Sequence, residues 1–270
     1  MSNLKKQLFG VFVVLTTTAA AIACGDLSPW GSFETPLFTN LTQKHLDMLR
    51  TGTPNFQPFK VALVADPQVV VGALKDCRTE INKRDDIDFT VLAGDLTDRS
   101  LRHEFEWVAT IIEEFRRPLL TVVGNHDGLI YGEEIYTKMF GPLNYSFVYN
   151  NVKFVMWNNN TFEWGYPNFD WLQSEIESHE RVIIVAHQQP GVLERYSDVN
   201  DRFREVFKHP HVLGSVHGHL HKWGYQEIHG KPALTVERVQ GTSWGILNVT
   251  ETGINFEKCK GSSCTPISPL

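Results

Sequence analysis

The feature that most restricts the fold is a series of six apolar runs, each five or six residues long, at 61–65, 89–93, 119–123, 152–157, 182–186 and 212–216. They are rich in Val and Ile and bounded by polar, turn-forming residues. Runs this short are buried strands rather than helices. Between the early runs, Leu101, Phe105, Val108, Ile112 and Phe115 recur at helical spacing around Glu104, Glu106, Glu113 and Glu114. That spacing predicts an amphipathic helix over 101–115. Strand–helix–strand order implies parallel pairing with the helices outside. After His221 the pattern changes to apolar stretches at 223–228, 233–238, 245–249 and 254–257, separated by turns such as His229-Gly230-Lys231-Pro232. These read as antiparallel strands completing a second sheet. No internal repeat is visible, and 270 residues at 42% hydrophobic suit one large α/β domain.

The first residues read as an export leader. Lys5 and Lys6 form a charged start, and 8–23 is apolar apart from three threonines and Gly10. This run is too short and too weakly apolar for a membrane span. Ala21-Ile22-Ala23 suits a signal peptidase, while Ala23 directly before Cys24 resembles a bacterial lipobox, in which Cys24 would carry lipid. The expected organisation is a leader at 1–23, a Ser/Pro/Thr-rich tether with a lead-in helix at 24–58, one domain at 59–258 and a tail at 259–270. The expected location is the bacterial cell envelope, anchored at Cys24; a soluble exported form is the alternative. Cys259 and Cys264 flank a Lys-Gly-Ser-Ser turn that can close a small disulfide in an oxidising compartment, leaving Cys77 as a buried thiol. No Cys spacing fits structural zinc.

Charge excludes one class of partner. Without Lys5 and Lys6, 23 basic residues face 31 acidic ones, a net charge of -8. Such a chain has no footprint for nucleic acid. It can act on phosphates if bound metal supplies local positive charge.

Nearly every run ends in residues of metal-ligand type: Asp66-Pro67-Gln68, Gly94-Asp95-Leu96-Thr97-Asp98, Gly124-Asn125-His126-Asp127, His187, and Gly218-His219-Leu220-His221. In open α/β sheets, groups at the carboxyl ends of several strands converge on one point. In an extended segment, side chains at i and i+2 face the same way, which would aim Asp66 with Gln68 and His219 with His221.

In order and type, these five motifs resemble those of the calcineurin-like metallophosphoesterase superfamily, over about 61–221. The resemblance implies a four-layer αββα sandwich of two mixed sheets. It also implies a dinuclear metal centre whose metal-bound hydroxide hydrolyses phosphate esters, diester or monoester, on a small-molecule or lipid-linked substrate. Carried onto this chain, it makes Asp95 the bridging carboxylate. Asp66, Gln68 and His221 complete the first metal; Asn125, His187 and His219 complete the second. His126 becomes the general acid and Asp127 the group that orients its ring. Most of the superfamily has His where this chain has Gln68. A carbonyl oxygen is a harder donor than imidazole, so manganese, magnesium or iron is expected over zinc, with manganese favoured.

Arg99 resembles a phosphate-binding arginine of some relatives; the plainer reading is a surface ion pair. Asp98 reads as a neighbour of the centre or a helix cap, and His217 as a strand histidine paired with backbone. Asn158, Asn159 and Asn160 either approach the site or cap a loop. Trp164, Trp223 and Trp244 stand in loop-like contexts where they could wall a substrate. The rival activities are a nucleotide-type pyrophosphatase and a non-catalytic metal-binding scaffold; intact Asp95 and His126 argue against the scaffold.

Overall fold

The structure, a computed structural model, describes residues 35–49, 55–192, 196 and 198–267. The leader, Cys24 and most of the tether lie outside the described residues. The lead-in helix α1 (Leu41–Met48) lies within them and docks on the domain. Thr42 donates its backbone N–H to Phe140 O at 2.9 Å, and Leu119 N donates to Nδ1 of buried His45 at 3.0 Å.

Two six-stranded sheets follow from the apolar runs. β1 (Phe59–Val64), β2 (Phe89–Leu92) and β3 (Leu119–Thr121) pair in parallel, separated by α2 (Val71–Asn82) and α3 (Arg102–Ile112). The expected helix over 101–115 is therefore present, its start held by the Glu104 carboxylate, which accepts from Leu101 N and Arg99 N at 3.0 Å each. A short 3₁₀ turn (Asn125–Gly128) and α4 (Gly132–Met139) lead to the hairpin β4 (Tyr145–Tyr149) and β5 (Val152–Met156). Then come α5 (Phe169–Glu177), β6 (Val182–Val185), α6 (Val199–Val206), β7 (Val212–His217), β8 (Gly224–Ile228) and β9 (Lys231–Thr235). The chain closes with β10 (Ser243–Thr250), β11 (Gly253–Lys260) and β12 (Ser263–Ile267). The strand orders are β12-β11-β10-β1-β2-β3 and β4-β5-β6-β7-β9-β8.

Alternation along the strands makes four layers. Val61 and Leu63 point between the sheets with Phe154, Met156, Ile183 and Val185, whereas Ala62 and Val64 face α2, α3 and α4. Val155, Val182 and Ile184 turn outward onto Phe169, Leu172, Ile176 and Phe203 of α5 and α6. A strand buried on both faces has no polar side to show, which is why these runs read as continuous apolar segments. At the centre, the Phe89 ring meets Phe59, Phe147, Tyr149 and Phe154 at centroid distances of 5.2–6.3 Å, within the range of favourable aromatic packing.

Two expectations need correction. The strands after His221 do not all complete the second sheet. β8 and β9 join it, with β9 parallel to β7, whereas β10, β11 and β12 extend the first sheet beside β1. Nor is the expected tail at 259–270 without structure through 267, since β11 runs through Cys259 and β12 pairs with it as an edge strand. Their apolar patterns match either sheet, so pairing partner was not encoded locally. Cys259 and Cys264 form a disulfide across this last hairpin, and Cys77 is a buried free thiol. No helix among the described residues is long and apolar enough to cross a membrane.

Candidate metal centre

β1 and β2 end in loops that carry Asp66 and Asp95 side by side: Asp66 N donates to Gly94 O at 3.1 Å, and Gln68 N to Asp95 O at 3.2 Å. The third loop packs against the second with almost no space, because a Cβ on Gly124 would collide with the backbone of Asp95, and one on Gly94 with the His187 ring. Glycine is required at both positions by close approach. β6 supplies His187, and the loop after β7 supplies His219 and His221.

Two clusters of donors result. Asp66, Asp95 and His221 form one, and Asp95, His187 and His219 the other, with ligand atoms in each within 4.8 Å of one another. Asp95 belongs to both, as a bridging carboxylate must. Asn125 completes the second cluster, its Oδ1 lying 3.2 Å from His187 Nε2 and 2.9 Å from His219 Nδ1. Gln68 joins the first, with Nε2 3.1 Å from His221 Nε2. Its Oε1 is buried without a hydrogen-bond partner. All seven expected ligands thus meet in one place, and two carboxylates, imidazole nitrogens and an orphaned amide oxygen suit divalent cations.

The route to this convergence differs from the i, i+2 argument. Asp66, Asp95, His219 and His221 have φ of 53°, 54°, 73° and 56°, so they sit in left-handed turns beyond the strand ends rather than in extended backbone. Left-handed backbone is costly for residues with a Cβ and persists where surrounding contacts enforce it, typically at functional sites. Here the His219 N–H donates to both Asp66 oxygens, at 3.0 and 3.2 Å.

Electrostatics divides the second cluster, leaving Asp95 and His219 deprotonated and His187 charged. His187 Nδ1 lies 2.7 Å from Ala93 O, which places its proton there and leaves Nε2 for the centre. Burial opposes charge on this ring, but Asp95 and Asp66 outweigh it and raise its pKa to about 9 without a bound cation. Burial, reinforced by His187, lowers His219 to about 4. Burial alone would raise Asp95, yet His187 holds it below the ordinary carboxylate range.

His126 stands beside the clusters. Its backbone N–H donates to Asp95 Oδ1 at 2.9 Å, and its half-exposed ring places Nδ1 2.9 Å from Asp98 O and 3.8 Å from Asp98 Oδ1. Asp98, not Asp127, therefore orients the ring. The expected role of Asp127 fails because its carboxylate is fully engaged elsewhere. It accepts from Gly124 N at 2.8 Å, Leu96 N at 3.1 Å, and Thr97 N and Oγ1 at 2.9 Å each, stapling two ligand loops together. Burial, then Asp95, pushes the Asp127 pKa up to about 7 against these bonds.

The Arg99 side chain is 77% exposed and lies 3.5 Å from Asp98, the surface ion pair of the plainer reading. His217 is fully buried, with Nδ1 2.7 Å from Ala186 O and Nε2 2.6 Å from Ser215 Oγ. Asn159 bonds the Gln188 backbone next to His187, and Asn160 Nδ2 donates to Val123 O at 3.0 Å. Trp244 is core and Trp223 packs against the central layer, but Trp164 lines a cavity near the centre. Sequence reasoning missed Arg238, whose Nη2 holds Gln68 O at 2.7 Å, and Glu163, which lines the cavity with Asn125 and His219. Neither belongs to a motif, so no local pattern marked them.

Comparison with known proteins agrees with this geometry. Among solved structures, the chain is similar to a dimetal phosphatase from Danio rerio, at 16% identity and a TM-score of 0.61 over 78% of this chain and 98% of the other. It is also similar to the purple acid phosphatase PPD1 of yellow lupin (Lupinus luteus), at 14% identity and 0.58, over 79% of this chain and 53% of the other. PhoD shares 9% identity at 0.56, over 82% of this chain and 74% of the other. At these identities the likeness establishes the four-layer fold. No curated protein matches in sequence. The profile of the calcineurin-like phosphoesterase family matches residues 59–223, which contain all seven candidate ligands and His126, and the chain belongs to that family of metal-dependent phosphoester hydrolases.

Proposed function

We propose that this protein hydrolyses phosphodiesters at a dinuclear centre held by Asp66, Gln68, Asp95, Asn125, His187, His219 and His221, with His126 as the proton donor. The observation that carries the reading is the sharing of Asp95 by two donor clusters, with the His126 backbone bonded to that same carboxylate. Two divalent ions bound there would supply Lewis acidity toward the phosphoryl oxygens and a water of lowered pKa. The rest is done by the chain. Asp127 keeps the loops of Asp95 and Asn125 in register, Ala93 O fixes the His187 tautomer, and Arg238 pins the Gln68 backbone. Asp98 takes His126 Nδ1 through its carbonyl and places a carboxylate 3.8 Å away, which orients the ring so that Nε2 is left to protonate the departing alkoxide. The hard oxygen of Gln68 supports manganese over zinc. Export and lipid anchoring at Cys24 belong to the same proposal and rest on the leader and lipobox-like sequence; mass spectrometry of Cys24 from a bacterial host tests them.

The deciding experiment compares bis(p-nitrophenyl) phosphate with p-nitrophenyl phosphate, using protein stripped of metal and reloaded with manganese, iron, magnesium or zinc. Metal-dependent turnover with the diester preferred is the expected result. Full activity after verified metal removal would overturn the mechanism, and preference for the monoester would overturn the diester assignment.

A further inference from the structure

Beside the centre lies a cavity of about 550 Å³ bordered by Asn125, His219, Gln188 and Glu163, and next to it a second of about 330 Å³ bordered by Asn158, Asn160, Trp164, Tyr166 and again Glu163. Glu163 stands between the candidate ligands and the second cavity. Three buried side-chain atoms without a hydrogen-bond partner gather here: Glu163 Oε2, Asn160 Oδ1 and Trp164 Nε1. The Asn160 amide is not free to turn, because Nδ2 donates to Val123 O at 3.0 Å and Asn158 Oδ1 at 2.8 Å, so Oδ1 remains an acceptor. Folded proteins leave few buried polar groups unpaired, and a cluster of them marks a place where a ligand or ordered water completes the bonding.

The chemistry of the missing partner follows from sign and geometry. Two of the three orphaned atoms are acceptors, so the partner is a donor. Among the described residues lining the two cavities there are two carboxylates, Glu163 and Glu133, and no Lys or Arg. A cavity of that sign opposes a phosphate dianion and favours a group of positive charge. The Trp164 ring adds a surface that attracts cations, while the Tyr166 ring already carries the Arg202 guanidinium 5.6 Å from its centroid.

We infer that this second cavity recognises an ammonium group on the esterified alcohol of the substrate, with Glu163 as its principal partner and Asn160 Oδ1 as a second acceptor. The inference deepens the phosphodiesterase reading and rests on it. The substrate class is then an amino-alcohol phosphodiester. Its phosphate lies toward Asn125 and His219 and its ammonium toward Glu163. Such a diester is zwitterionic, so it meets both the metals and the carboxylate with opposite charge.

The test uses two synthetic diesters with the same leaving group, 2-aminoethyl p-nitrophenyl phosphate and propyl p-nitrophenyl phosphate, on metal-loaded full-length enzyme. They differ only in replacing a terminal ammonium by a methyl. Wild type is expected to favour the aminoethyl ester about 10-fold or more in kcat/KM, the scale of one charge-assisted contact with aromatic support. Glu163→Gln is expected to bring that ratio close to one, while Glu163→Asp, which keeps the charge, retains a preference. A wild-type ratio near one overturns the inference alone, as does a high ratio that survives in Glu163→Gln. Failure of the wild type to cleave either ester with any metal overturns the phosphodiesterase reading and the inference together.

Discussion

The two halves of the candidate metal centre are built to different standards. In the half formed by Asn125, His187 and His219, the central imidazole is wholly buried, its tautomer is set by Ala93 O, and Asn125 touches both histidines within 3.2 Å. In the half formed by Asp66, Gln68 and His221, the carboxylate is buried, but the His221 side chain is 35% exposed and Gln68 contributes a neutral amide with an unpartnered oxygen. Groups held by packing and neighbouring hydrogen bonds arrive in place before the ion does, while exposed, uncharged ones must be ordered by it. From this difference the Asn125, His187 and His219 half is expected to hold its ion more tightly than the Gln68 half.

The largest effect should come from the residue the halves share. Asp95→Asn should empty both positions and lower turnover by roughly 10³-fold or more, given several kcal/mol of charge stabilisation at tenfold per ~1.4 kcal/mol. Metal analysis beside rates checks this, and retention of both metals would break the bridging assignment. His126→Ala should spare both halves. It should keep its metal yet lose on the order of 10²–10⁴ in rate on esters with poor leaving groups, and less on nitrophenyl esters. Equal losses on both would remove His126 from the acid role.

A smaller effect probes the comparison directly. Chelator titration of wild type should release the ion of the Gln68 half first, and Gln68→Ala should raise the metal concentration for half activity by about 10-fold. Gln68→His should tighten that half and move its preference from manganese toward zinc. If neither substitution changes metal affinity or preference, the two halves are not unequal for the reason given.

The smallest effect separates the frame from the centre. Burial lowers the His45 pKa below 6.5 against the opposing Glu113 contact, and the neutral ring accepts from Leu119 N. A group with a depressed folded pKa binds fewer protons when folded, so its stabilisation is present above 6.5 and lost as pH falls. Urea midpoints of wild type and His45→Ala should therefore differ by about 1 kcal/mol near pH 7.5 and converge toward pH 5. A constant gap would show that folding leaves the His45 pKa where it is in the unfolded chain.

How much was legible differs between fold and site. The runs at 61–65, 89–93 and 182–186 are readable as strands because strands covered on both faces are apolar throughout. The destination of β10, β11 and β12 was not readable, since their composition satisfies either sheet and only the neighbouring edge of β1 decides. At the site, the motifs marked all seven candidate ligands. They misassigned Asp127, because a carboxylate next to His126 in sequence need not lie next to it in space.

The amino-acid sequence marks residue types: ten of the twelve strands among the described residues, without β4 and β12, and the carboxylates, amides and imidazoles at strand ends. Periodicity and ligand chemistry are local properties, so they survive reading in one dimension. Tertiary structure decided the rest. It turned Asp66, Asp95, His219 and His221 into left-handed loops, gave the His126 ring to Asp98, and set Glu163 between the centre and a cavity without positive charge among its described lining. The physical reason is that direction, burial and neighbouring charge are properties of packed elements distant in the chain. Asp66 and His219 stand 153 residues apart and touch through one backbone N–H that no local pattern encodes.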